Sequence, residues 1–190
     1  MSLEETVVHI LQPIKQFCYG YEKLRQTSRE VPDGSPQSSF YATSIYHFIA
    51  VFYLIDKGKN EMGGSLYKAL RAHDLQHLLG RVRETMEAPL GETNFGEVVR
   101  IFRNKILAHP KYHSRSLDRI YEKVDMEDPD VLKRFYNLIH RTYILTKGLS
   151  VQLAMETDAT PEDIGLKMSF PEAQTIIDRQ LSEEVDLEDF

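Results

Sequence analysis

An all-α, antiparallel bundle of about five helices is the fold class this sequence predicts, and three observations predict it. Apolar residues recur at three- and four-residue spacing through long stretches. No alternating strand pattern of any length occurs, and no internal repeat. Breaks rich in Pro, Gly, Ser and Asp separate the periodic stretches. With 190 residues, 42% of them apolar, the chain can fill one ordinary core. One domain over residues 1–180, followed by an acidic tail at 181–190, is therefore expected.

The first helix is expected over residues 3–29, where Val7, Ile10, Leu11, Ile14, Phe17, Cys18, Tyr21 and Leu24 keep helical spacing. Pro13 should kink it or mark a boundary, because a mid-helix Pro loses a hydrogen bond and clashes with the preceding turn. Residues 31–39 read as a loop, and Ser38 or Ser39 can cap a second helix over 40–57. That helix is apolar nearly all round, which predicts a place at the bundle centre. His47 within it reads as a hydrogen-bonded core residue. A third helix is expected over 64–87, closed by Pro89 and Gly91. The fourth runs from 94 to 107. Pro110 disfavours α geometry at His109 and so ends the helix at or before that residue. An irregular basic connection follows, with a short helix near 117–123. A fifth helix spans 129–155, and a short one 171–180.

The net charge is −6 but unevenly placed. Residues 100–123 hold seven cations and two acids, a local charge of +5 against −11 for the rest of the chain. A basic island in an acidic chain fits a polyanion footprint, and it also fits a solvated helical face. Cys18 is the single cysteine, so no disulfide framework or cysteine metal cluster is expected, and a buried structural thiol is its default role. The most apolar run, residues 40–55, contains Thr43, Ser44 and His47 and falls short of the roughly 20 apolar residues a membrane span needs. The opening residues are acidic and do not read as a signal peptide. A soluble cytoplasmic protein with no membrane partner is expected.

The stretch richest in chemistry is Arg103-Asn104-Lys105-Ile106-Leu107-Ala108-His109, followed by Pro110. Arg can clamp phosphate and stabilise added negative charge. Neutral His can remove a proton near pH 7. Asn can donate to an oxyanion or orient a hydroxyl. These groups suffice for phosphodiester cleavage without a metal. Six residues on an ideal helix turn two side chains about 120° apart. Arg103 and His109 therefore converge only if the helix ends before His109 or a second chain completes the site. The plainer alternative pairs Arg103 with a carboxylate and leaves His109 as a helix-end residue favoured by the macrodipole.

Arg103-Asn104, four further residues and His109, late in an all-α chain of this size, resembles the motif of the HEPN superfamily, and in particular its abortive-infection members. The similarity spans residues 40–155. The resemblance implies a metal-independent endoribonuclease of a toxin or phage-defence type that needs no cofactor. It implies a homodimer whose two motifs line one cleft, RNA as substrate, and an antitoxin protein as a further partner. His109 would act as general base or acid, Arg103 would stabilise the transition state, and Asn104 would orient His109 or the scissile phosphate. Lys105, Lys111 and Arg115 would position phosphates by proximity. Many toxins of the family that are paired with nucleotidyltransferase antitoxins carry a Tyr two residues after the His. Here Lys111 stands there and Tyr112 comes one later, so control by tyrosine modification is not implied. The alternative within the same resemblance is a non-catalytic module binding a nucleotide, RNA or a partner protein.

His73-Asp74-Leu75-Gln76-His77 is the other constellation. Histidines at i and i+4 share a helix face and could touch one metal ion, but no third ligand is evident and no metal site is expected. The tyrosines read mainly as packing residues, with Tyr112 and Tyr121 placed in the basic connection where they could stack on bases. No Walker A, dinucleotide-binding glycine fingerprint or GxSxG is present.

Overall fold

The computed structural model describes residues 2–30, 36–54, 65–103, 120, 122–157 and 159–183. Its helices are α1 (Leu3–Glu30), α2 (Pro36–Phe52), α3 (Ser65–Arg71), α4 (Gly80–Glu87), α5 (Phe95–Ile101), α6 (Pro129–Met155) and α7 (Phe170–Ser182). A two-residue-per-strand hairpin, β1 (Pro89–Leu90) with β2 (Thr93–Asn94), joins α4 to α5. The class is all-α, with a few more helices than the sequence predicts.

The extremes of the chain follow the sequence closely. In α1, Val7, Ile10, Ile14, Phe17 and Tyr21 are buried at alternating three- and four-residue steps, the spacing that keeps one stripe facing a neighbour. The start of α1 is fixed by a reciprocal cap: Glu5 N–H donates to Ser2 Oγ, and Ser2 N–H donates to Glu5 Oε2 at 2.8 Å. Pro13 does not divide it, and the helix runs through as one element. The α6 boundaries match the expectation, with Pro129 in the first turn and the Asp128 carboxylate accepting from Asp130 N–H at 2.9 Å. The α7 start is closed by a capping box between Ser169 and Glu172, and the helix extends two residues past the expected end.

The α2 start differs from expectation. The helix opens at Pro36, so the expected cap positions Ser38 and Ser39 fall inside its first turns. Its burial is one-sided: Ile45, Phe48 and Ile49 point inward, whereas Phe40 is 66% exposed and His47 is exposed. His47 is thus not a core residue. The central helix is α6, which packs against α1, α4 and α7 and buries most of its second half. Its threonines can be buried because Thr142 and Thr146 donate to the carbonyls of Leu138 and Thr142, each at 2.7 Å. Tyr53 Oη and Thr146 Oγ1 close a further buried hydrogen bond at 2.7 Å.

The expected third helix is broken. After α3 the chain turns at Asp74, whose φ is +61°. Leu75 N–H donates to Leu70 C=O at 2.9 Å and Asp74 N–H to Arg71 C=O at 3.3 Å, the paired bonds of a Schellman end, with Leu70 and Leu75 buried together. Asp fills the left-handed position that Gly usually takes, so periodicity alone does not reveal the stop. A 3₁₀ turn (Gln76–Leu79) then leads into α4.

The hairpin anchors a later part of the chain. Gly91 has φ +58°, and a Cβ there would stand 2.4 Å from the carbonyl oxygen of Lys123. Glu92 N–H donates to that same oxygen at 2.8 Å. Ile120 and Val124, on either side of Lys123, are buried.

Candidate functional site

Asn94 starts the helix that carries the motif. Its backbone is extended, and its side-chain oxygen accepts from Glu97 N–H at 2.9 Å, capping α5. Phe95, Val98 and Val99 bury one side of α5, and Gly96 lets it approach Met86 and Leu54 closely. Beyond Ile101 the backbone passes through a wider, π-type turn at Phe102 and Arg103. Phe102 stacks on Tyr46 with ring centres 5.3 Å apart and lies 6.0 Å from Phe135. This aromatic anchor holds the end of α5 against α2 and α6 and delivers Arg103, half-buried, at the margin of the core.

Of the sequence-derived site, Arg103 alone falls among the described residues. Asn104, Lys105, His109, Lys111 and Arg115 lie outside them, as do Tyr112 and Tyr121. The described residues that flank that segment pack on the core, Phe102 against Phe135 and Ile120 fully buried.

The His73–His77 pair does not form a helical i, i+4 face. The Schellman end at Asp74 separates the two rings. His73 Nε2 bonds to Thr6 Oγ1 at 2.9 Å, tying α1 to the turn, and His77 Nδ1 lies 3.2 Å from Asp74 C=O. No cluster of three or more metal-capable side chains occurs among the described residues.

Two cavities of about 530 Å³ each open on the surface. One is an apolar groove between α1 and α2, walled by Phe17, Tyr19, Phe40, Phe48 and Phe52 with His47 at its edge. The other is polar. It lies between α6, which contributes Lys133, Arg134, Asn137, His140 and Arg141, and the last turn of α7, from Gln180 to Glu183. His140 Nδ1 is 2.7 Å from the hydroxyl of buried Tyr21, so its ring is held from the core side. Arg141 Nε donates to Thr85 Oγ1 at 3.3 Å. Sequence reasoning missed this cleft. Its signal is the polar spacing i, i+4, i+7 and i+8 from Lys133 to Arg141 along an otherwise apolar helix. Arg134 and His140 repeat the six-residue step of Arg103 and His109, and both residues line one cavity.

Burial also sets the chemistry of the core. It pushes the Cys18 thiol up to about 12, with nearby Lys147 opposing and Glu22 reinforcing the shift. Tyr143 is raised by burial, then by donating its hydroxyl proton to Glu22 Oε1. Cys18 and the raised tyrosines Tyr46, Tyr53 and Tyr143 are therefore uncharged packing groups rather than nucleophiles or bases. No helix among the described residues is long and apolar enough to cross a membrane. No family model, curated protein or solved structure matches the chain.

Proposed function

We propose that this chain is a HEPN-like, metal-independent endoribonuclease that acts as a homodimer in a toxin or defence setting. The observation that carries this reading is the string Arg103-Asn104, four residues, His109, in an all-α chain. Two further features support it: the local charge of +5 over residues 100–123, and the position of Arg103 where α5 ends against the aromatic cluster.

In this reading His109 takes the proton of a ribose 2′-hydroxyl. The 2′-oxygen then attacks the adjacent phosphorus in line. The new P–O2′ bond forms as the P–O5′ bond breaks, and the leaving 5′-oxygen takes a proton from the second His109 of the dimer. The products are a 2′,3′-cyclic phosphate and a 5′-hydroxyl. Arg103 stabilises the negative charge that accumulates on the phosphoryl oxygens. Asn104 orients His109 or the scissile phosphate, and Lys105, Lys111 and Arg115 hold neighbouring phosphates.

The test incubates chelator-treated wild-type protein, Arg103→Ala and His109→Ala with total cellular RNA and analyses the product end groups. Wild-type cleavage that leaves 2′,3′-cyclic ends, reduced at least about 100-fold in His109→Ala, is the expected result. Equal cleavage by wild type and His109→Ala sinks the assignment. RNA binding without cleavage by any of the three identifies the non-catalytic module instead.

A further inference from the structure

The polar cleft between α6 and α7 has no part in the motif chemistry, yet it gathers three basic side chains. Lys133, Arg134 and Arg141 line one cavity of about 530 Å³. That volume lies in the range of small-molecule sites, roughly 300–1,000 Å³. The guanidinium of Arg134 is exposed, and neither it nor Arg141 forms an ion pair among the described residues. Arg141 is positioned by Thr85, and His140 by Tyr21, so two of the polar groups are held before any ligand arrives.

Two acids share the lining. Asp130 sits in the first turn of α6, where the helix dipole favours it. Glu183 lies 3.8 Å from Arg179. The last carbonyls of α7 are also engaged, Arg179 C=O by Ser182 Oγ and Gln180 C=O by Glu183 N–H. Three cations against Asp130 and Glu183 leave the lining at +1, and a phosphate ester brings both an opposing negative charge and several acceptor oxygens for the two guanidinium forks. Leu138 and Leu181 add an apolar wall for the organic part of such a ligand.

We propose that the α6–α7 cleft binds the phosphate group of a nucleotide-sized phosphate ester, with Arg134 and Arg141 as the clamp. This stands independently of the Arg103–His109 reading. The ester can come from a free nucleotide or from a polynucleotide backbone, and the two sources separate by experiment.

Binding is measured by calorimetry on the full chain with three probes: inorganic phosphate, adenosine 5′-monophosphate, and a 12-nucleotide single-stranded RNA lacking terminal phosphates. The same probes are applied to Arg134→Glu, to the milder Arg134→Gln, and to a full chain whose acidic end is neutralised (Glu184→Gln, Asp186→Asn, Glu188→Gln, Asp189→Asn). Melting temperatures and circular dichroism establish that each variant is folded. The expected result is phosphate-ester binding that weakens about tenfold in Arg134→Glu and less in Arg134→Gln, and that weakens with salt. Arg134-dependent binding of the monophosphate assigns a free nucleotide. Arg134-dependent binding of the RNA alone assigns the backbone. Absence of binding by all three probes to both the native and the neutralised chain overturns the proposal. So does binding that both folded Arg134 variants leave unchanged.

Discussion

At the scale of single residues, environment decides chemistry more than residue type does. Cys18 and His47 show this in opposite directions. Cys18 sits on the inward side of α1, and burial raises its thiol to about 12, so at neutral pH it is protonated and unreactive. Alkylation of Cys18 by iodoacetamide at pH 8 should therefore be at least about 100-fold slower in the folded protein than in urea. A folded-state rate within threefold of the unfolded rate would show the thiol to be open. His47 was expected inside because its neighbours in sequence are apolar, yet it faces out. Hydropathy averaged over a helix says how much of it wants to be buried, not which of its sides is covered. Asp74 shows a related gap: its left-handed backbone ends α3, and nothing in an Asp at that position announces a helix stop as Gly would.

At the scale of elements, the ends that were legible are those closed by side-chain caps. The capping box at α7 is one. Ser169 Oγ donates to Glu172 Oε2 at 2.7 Å, and Ser169 N–H donates to the same oxygen at 2.9 Å. These bonds, the hydroxyl's first, hold the Glu172 carboxyl below its ordinary range. Ser169→Ala should cost about 1 kcal/mol at pH 7, read from urea unfolding with an unchanged slope. A carboxyl depressed in the folded state stabilises the protein above its unfolded pKa, and that contribution is lost as pH falls through the depressed folded value. The stability gap between wild type and Ser169→Ala should accordingly narrow below about pH 4, since an unperturbed Glu titrates near 4.3. A gap that stays constant down to pH 3 would remove the carboxylate from the cap.

At the scale of the whole molecule, the hairpin matters more than its four strand residues suggest. Its turn glycine packs closely on the backbone of Lys123 and Val124 and ties the hairpin to the chain ahead of α6. Gly91→Ala combines a left-handed backbone with a Cβ 2.4 Å from a carbonyl oxygen. It should destabilise the fold by about 2–4 kcal/mol, the sum expected of the two strains. A loss under about 0.5 kcal/mol in chemical denaturation would mean that the contact relaxes without consequence. The α6–α7 packing has a comparable tight point. A Cβ at Gly148 would meet Ile177 at 3.3 Å, so this glycine lets α7 lie close enough to form the far wall of the cleft.

The sequence by itself determined the helical class, the α6 boundaries and the inward stripe of α1, because these follow from period and from caps that lie within four residues of the helices they close. It also supplied the Arg103–His109 string as a candidate, since adjacency in sequence is all that such a motif states. Tertiary structure alone decided that α6, not the more apolar α2, occupies the centre. Its buried threonines bond back to their own helix and Tyr53 reaches across to Thr146, whereas one side of α2 has no helix over it among the described residues. The basic cleft was likewise invisible to a linear reading. Its second wall comes from α7, and one of its arginines is held by a threonine 56 residues away. Such convergence depends on packing across the fold, which no local pattern encodes.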